Sequence, residues 1–300
     1  AWTSCKRPEN GNQMVDAYDF LNPEDVPESG SEPVTAVRRN DLKADGGFED
    51  RLRDRFDGVE RSGWNTRVFR LPHAEKPGRT YMHWRGEYYV QEESAAVPVD
   101  VLDPQPGDSV LDLCAAPGGK TSQIAARLGN DGELVANDSS RDRLSSLQVN
   151  AYRTGAAAAT TCRDGRNFAG RDRFDKILVD APCTGEGDRL RRGEGVADPE
   201  NSEGLARLQY RLLEAAARLV KPSGAVVYST CTLSPHENEA VVERATEETG
   251  LELSIPETSV PHDTGLREFD DRDFDVEAGR LVRVTPRHLN SGVIFCARLE

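Results

Sequence analysis

Three hundred residues carry 52 acidic and 38 basic side chains, a net charge of −14, with an apolar fraction of 37 %. This length fits one large domain or two modest ones, and no run of about 18 apolar residues offers a membrane span. The acidic balance excludes a uniformly basic surface that would grip a polyanion by charge alone. Only six of the basic residues are Lys and 32 are Arg, a bias that predicts a protein working in concentrated salt. Ala1–Gln13 lack the charged-then-apolar order of a signal peptide, so a cytoplasmic protein with free thiols is expected. Cys5, Cys114, Cys162, Cys183, Cys231 and Cys296 form no C-x-x-C and no Cys/His cluster, so no metal site is expected.

Residues 1–32 read as an acidic lead-in, expected to be disordered, because 15–32 are rich in Asp, Glu, Pro and Ser without periodicity. Residues 33–94 read as a small α+β module. Strands fall at 33–42 and 65–71, with a helix at 49–59 that puts Leu52, Phe56 and Val59 on one face. Residues 33–90 hold 12 basic and 9 acidic side chains, a basic island in an acidic chain. From 95 to 300 the rhythm alternates. Strands are predicted at 109–116, 133–138, 156–161, 174–182 and 224–231, with helices at 118–128, 141–153, 205–220 and 237–248 between and after them. That order implies a parallel sheet covered by helices on both faces. Two closing strands, 279–286 and 292–300, lack a helix between them and suit an antiparallel end. Asp271, Asp273 and Asp275 have the spacing of a calcium loop, but Val276 and Val282 stand where Gly and Glu are required; the stretch reads as a solvated loop.

Three motifs carry chemistry. The first runs from Leu111 to Thr121 and joins a strand to a helix through Pro117-Gly118-Gly119-Lys120. Glycines let a ligand approach the backbone, and a helix start offers free N–H groups. It is not a P-loop, since Cys114 holds the place of the first glycine. Asp138 follows Gly118 by 20 residues and ends the second strand, where an acid accepts from ribose hydroxyls. A nucleoside cofactor without a phosphate loop fits S-adenosylmethionine. The second motif, Asp180-Ala181-Pro182-Cys183-Thr184-Gly185-Glu186-Gly187, and the third, Ser229 to Glu239 around Cys231, each follow a strand. If those strands are neighbours, Asp180, Cys183 and Cys231 meet in one cleft at the carboxyl end of the sheet. Cys114 reads as packing or loop shape. Ser234 and Glu237 read as a capping box with Pro235 at the first helical position, so His236, Glu237 and Glu239 read as helix-start residues.

The segments 114–121, 180–187 and 228–239 (CAAPGGKT, DAPCTGEG, YSTCTLSPHENE) resemble the signatures of the Sun/Fmu-type RNA cytosine-C5 methyltransferases. The likeness runs over roughly 33–300, with Thr184 where the family usually has Ser. It implies a Rossmann-like seven-stranded methyltransferase domain over 95–300, preceded by an RNA-recognition-like module, and the composition suggests an archaeal-like, halophilic member. By resemblance, S-adenosylmethionine lies against Cys114, Ala115, Ala116, Pro117, Gly118, Gly119 and Lys120, with Asp138 on the ribose, Asp164 near the adenine and Asp180 toward the methionine end and the target base. Cys231 is then the nucleophile and Cys183 the residue that releases product.

Such roles answer a chemical need. Carbon 5 of cytosine is a poor nucleophile, and a thiolate adding to carbon 6 makes it electron-rich. A helix start after Cys231 is expected to favour the thiolate, and a protonated Asp180 to donate to ring nitrogen 3. The base must be unstacked to enter. For RNA, the candidates are Arg67 and Arg79 in the module and Arg189, Arg191 and Arg192 after the second motif, with tRNA slightly favoured over rRNA, and a monomer is expected. Two alternatives are a DNA cytosine methyltransferase using Cys183 as nucleophile and a noncatalytic RNA-binding assembly factor.

Overall fold

A computed structural model describes residues 22–72, 76–269 and 272–300. Cys5, Asp271 and the lead-in through residue 21 lie outside the described residues. The first unit contains strands β1 (Ala36–Arg39), β2 (Glu60–Arg61), β3 (Val68–Arg70) and β4 (Tyr88–Gln91), with helices α1 (Phe48–Arg55) and α2 (Tyr81–Trp84). The strands form an antiparallel sheet in the order β2-β3-β1-β4. Apolar residues four apart give α1 one buried face, Phe48 and Leu52. Phe48 meets Phe69 edge-on with ring centroids 5.7 Å apart.

The second unit runs α3 (Val97–Leu102), β5 (Ser109–Asp112), α4 (Gly119–Leu128), β6 (Glu133–Asp138), α5 (Arg141–Thr154), β7 (Ala159–Cys162), β8 (Phe174–Asp180), α6 (Glu186–Arg191), α7 (Pro199–Leu219), β9 (Val220–Thr230) and α8 (Glu239–Thr249). A short hairpin, β10 (Glu268–Phe269) and β11 (Arg272–Asp273), precedes β12 (Leu281–Val284) and β13 (Ile294–Leu299). The seven-stranded sheet has the order β12-β13-β9-β8-β5-β6-β7. β7, β6, β5, β8 and β9 are parallel, and the last two strands are antiparallel, as the missing crossover helix requires. The middle strands read as unbroken apolar runs because helices cover both faces. Helix α7 starts at Pro199, before the expected 205, because Asp198 caps it by accepting from Glu200 N at 3.0 Å.

Polar groups stitch the two units together. The buried Arg38 of β1 donates to Gly119 O at 3.1 Å and to Ser122 Oγ at 2.8 Å on α4. Asn40 donates to Thr154 O at 2.7 Å and Gly86 O at 2.8 Å. Gly86, at φ +77°, is pressed so close to Arg153 O that a Cβ there would lie 2.0 Å away. Residues 22–32 lie against the C-terminal strands and α6: the buried Asp25 accepts from Thr285 Oγ1 at 2.5 Å and Arg287 Nε at 2.9 Å, and Gly30 N donates to Arg191 O at 2.7 Å.

Candidate active site

The turn from β5 into α4 is shaped by two glycines. Gly118 has φ +103°, and a Cβ there would meet Leu147 at 2.9 Å; a Cβ on Gly119 would press on the Tyr89 ring at 3.1 Å. Beside the turn is a cavity of about 170 Å³ whose lining includes Tyr89, Gln91, Asp112, Ala115, Ala116 and Lys120. Cys114, Pro117, Gly119 and Asp180 also border it. Asp112 is fully buried at the strand end. Its Oδ2 accepts from Thr121 Oγ1 at 2.7 Å, while Oδ1 has no partner. Burial pushes the Asp112 carboxyl up to about 7. A buried acceptor of this kind, facing a cavity bounded by a glycine turn, suits an amino or other cationic N–H group of a nucleoside cofactor.

Asp138 lies under the same turn. It is buried, and accepts from Ala116 N at 3.2 Å and Ser140 N at 2.9 Å, with Arg143 at 3.4 Å. Its carboxylate thus shapes the loop. Asp164 begins a short 3₁₀ turn and is clasped by Arg166, with Nη2 at 2.6 Å; it does not border the cavity. Burial pushes the Cys114 thiol well up, which suits packing.

Strands β8 and β9 are indeed neighbours, with Asp180 opposite Ser229. Asp180 Oδ1 accepts from Ser229 Oγ at 2.8 Å, and Oδ2 accepts from Lys120 Nζ at 2.8 Å. Burial opposes the charge of Lys120, and the adjacent Asp180 more than restores it, raising the Lys120 pKa. Both Asp180 oxygens act as acceptors here, which does not fit the expected proton donation by Asp180. Just past the strands, Cys183 Sγ and Cys231 Sγ are 3.2 Å apart, and Cys231 N donates to Cys183 Sγ at 3.4 Å. The Cys183 thiol, donating to Cys231, holds the Cys231 pKa below the ordinary thiol value; burial and Asp180 act against this, and Lys120 assists it. The same hydrogen bond, with burial, raises Cys183.

The expected helix start next to Cys231 is corrected by the structure. Helix α8 begins at Glu239, eight residues on, with Asn238 preceding it and no side-chain cap. Glu237 is no capping residue: its buried carboxylate accepts from Thr184 N at 3.0 Å, Thr184 Oγ1 at 2.6 Å and Gln209 Nε2 at 2.9 Å. It ties the loop of Cys183 to that of Cys231. Glu239 is buried in a pair with Arg283, at 2.5 and 2.7 Å. A capping-box spacing was satisfied by chance, because tertiary partners claimed both acids.

The RNA candidates scatter. Arg191 is buried, donating to Ser291 O at 2.6 Å with Glu92 at 3.3 Å. Arg189 and Arg192 pair with Glu194, at 3.5 and 2.7 Å. Arg67 pairs with Asp41, and Arg79 is exposed. The sequence reading did not place Asp112, Tyr89 or Gln91 at the site and took Glu237 for a helix-start residue. Asp112 alone left a trace, as an acid inside an apolar strand.

A seven-stranded sheet with an antiparallel end, a glycine turn at its first strand and ligand-facing acids at the strand ends define a Rossmann-like S-adenosylmethionine-dependent methyltransferase. The sequence model of the family described as 16S rRNA methyltransferase RsmB/F matches residues 99–300, and the chain belongs to that family. The tRNA (cytosine(49)-C(5))-methyltransferase of Pyrococcus abyssi is 36 % identical over 215 residues, covering 70 % of this chain and 69 % of that protein. Ribosomal RNA small subunit methyltransferase F of Salmonella arizonae is 44 % identical over 171 residues, 55 % of this chain but 36 % of that longer protein. This chain therefore spans about a third of the ribosomal relative's length. A methyltransferase homolog protein from Pyrococcus horikoshii superposes with a TM-score of 0.80 at 31 % identity, covering 90 % of this chain and 87 % of that one. NSun6 from Pyrococcus horikoshii, solved with SFG, gives a TM-score of 0.81 at 21 % identity over 97 % and 98 % of the two chains, a likeness of fold.

Proposed function

We propose that this chain methylates carbon 5 of cytosine in RNA, with S-adenosylmethionine as donor, Cys231 as nucleophile and Cys183 as the residue that frees the product. The observation that carries the assignment of roles is the 3.2 Å contact between the two sulfurs, which we read with Cys183 as donor because the charge of Lys120 favours the thiolate on Cys231. The reverse assignment, that of the DNA-type enzyme, needs Cys183 as the thiolate, yet Lys120 acts on Cys231.

When bound in the glycine-turn cavity, S-adenosylmethionine supplies an electrophilic methyl group; Asp112, the 114–120 loop and Asp138 are the residues that would hold it. The thiolate lone pair of Cys231 forms a bond to carbon 6, and the ring electrons move toward carbon 5 and the carbonyl. The Lys120 ammonium, held by Asp180, offers a positive charge that acts on Cys231. Once Cys231 is bonded to carbon it carries no charge, so the main cause holding the Cys183 proton is gone. Cys183 then loses its proton to solvent. Once carbon 5 has received the methyl group, the Cys183 thiolate takes the proton from carbon 5, and the electrons of that bond restore the ring double bond as the carbon–sulfur bond breaks and Cys231 leaves as thiolate.

Of RNA classes, tRNA is favoured, because the tRNA relative aligns over 69 % of its length against 36 % for the ribosomal one. Work in concentrated salt is supported by 52 acidic residues and the scarcity of Lys. Among the described residues no helix is long and apolar enough to cross a membrane; a cytoplasmic monomer divided near residues 32 and 94 completes the proposal. Bisulfite sequencing of cellular RNA with and without the gene tests it. A cytosine protected only in the presence of the gene is expected, and an unchanged map refutes it.

A further inference from the structure

Two helical faces at the seam between the units present apolar side chains to water. On α2, Tyr81 and Trp84 are 68 % and 71 % exposed. Their rings stack on each other, centroids 5.6 Å apart and planes 22° apart, so Tyr81 backs one face of the indole and the rest meets solvent. On α5, Val149 and Tyr152 are 66 % and 89 % exposed and, three residues apart, share a helix face. The helices are joined: Arg153 Nη1 donates to His83 O at 2.8 Å. Single exposed apolar residues are ordinary. Here four of the five large exposed ones among the described residues, Ile255 being the other, belong to this pair of joined helices.

Cations lie on the segments that adjoin these helices. Lys76 and Arg79 belong to the turn that leads into α2, and both are exposed. The stem of Lys43 lies against Gly155 at the end of α5. None of these three has an ion-pair partner among the described residues, unlike Arg67, Arg189 and Arg192, which are neutralised by neighbouring acids. In a chain of net charge −14, cations without an ion-pair partner among the described residues, on segments adjoining an exposed indole, are the chemistry that receives a base on its face and a phosphate at its edge. Arg153 also lies 5.6 Å over the Tyr89 ring, and Tyr89 borders the cofactor cavity. Arg153 and Tyr89 thus link the helix that carries the exposed rings to the border of the site.

We propose that Trp84, backed by Tyr81 and with Lys43, Lys76 and Arg79 on the adjoining segments, is a stacking platform for an unpaired nucleotide of the RNA substrate. The proposal rests on the RNA reading above and names where that RNA is held outside the catalytic cleft. The test compares the full chain with Tyr81→Ala/Trp84→Ala and Tyr81→Phe/Trp84→Phe, using fluorescence anisotropy with a labelled tRNA transcript. The alanine pair should bind roughly fivefold to a hundredfold more weakly, and the phenylalanine pair should stay close to wild type. Melting temperature and cofactor affinity should be equal in all three, since neither ring supports the core. If the alanine pair binds the transcript as tightly as wild type while wild type methylates it, the platform does not serve RNA and the proposal is overturned, with the catalytic reading intact. If wild type neither binds nor methylates RNA, the reading beneath the proposal has failed and takes it down as well.

Discussion

The carboxylate of Glu237 holds Thr184 at two points, accepting from its backbone N–H at 3.0 Å and its hydroxyl at 2.6 Å. Thr184 is the neighbour of Cys183, and Glu237 follows Cys231 by six residues, so one side chain fixes the distance between the two thiols. Glu237→Gln leaves a single acceptor oxygen where three donors converge. The stability loss should be about 1–3 kcal/mol, measured by urea denaturation, and methyl transfer should slow with cofactor affinity unchanged. An active, fully stable Glu237→Gln enzyme would show that the thiols are positioned by something else.

The two cysteines should separate in a denaturing gel. Cys231→Ala should give no methylation and no covalent RNA adduct, whereas Cys183→Ala should accumulate the adduct. Loss of the Cys183 donor also removes the main cause of the low Cys231 pKa. In Cys183→Ala without RNA, the pH midpoint for alkylation of Cys231 by iodoacetamide should therefore move upward. A downward shift, or none, contradicts the proposed hydrogen bond.

Asp112 sets a pH dependence whose sign follows from its raised pKa. Folding lifts the carboxyl from 3.8 to about 7, so between those values the folded state binds more protons than the unfolded one. Stability from this group is present at low pH and declines as pH rises toward 7. Asp112→Asn should remove that slope and stabilise the protein at pH 8 by on the order of a few kcal/mol, while weakening cofactor binding measured by calorimetry. A cofactor affinity equal to wild type would exclude Asp112 from the site.

Salt should act in the direction opposite to most RNA enzymes. Cation–phosphate contacts weaken steeply with salt, but the chain here carries more acid than base. Activity and melting temperature should both rise between dilute buffer and molar KCl. Maximal activity in dilute buffer would refute the halophilic reading.

The parts of the site that the sequence disclosed are those defined by local order. Gly118-Gly119 between a strand and a helix, and cysteines just past two apolar strands, have meanings that survive without partners. The parts it concealed are buried charges. Glu237 and Glu239 carry the spacing of a helix start, and only Thr184, Gln209 and Arg283, distant in sequence, show their use. Arg191 looked like a surface cation and is enclosed by Ser291 and Glu92. Alternation of strands and helices disclosed the sheet, while β4 (Tyr88–Gln91) escaped because its four residues, Tyr-Tyr-Val-Gln, are too few and show no polar–apolar alternation.

Arg38 belongs to the N-terminal sheet, yet its guanidinium rests on the carbonyl of Gly119 and the hydroxyl of Ser122. Whatever displaces β1 therefore displaces the first turn of α4. Two ligands that meet across such a contact are thermodynamically linked: if RNA on the module tightens the donor by some factor, the donor must tighten RNA by the same factor. Arg38→Met, which keeps the stem and removes the contact, would set that factor toward one and leave the order in which the two substrates arrive to chance.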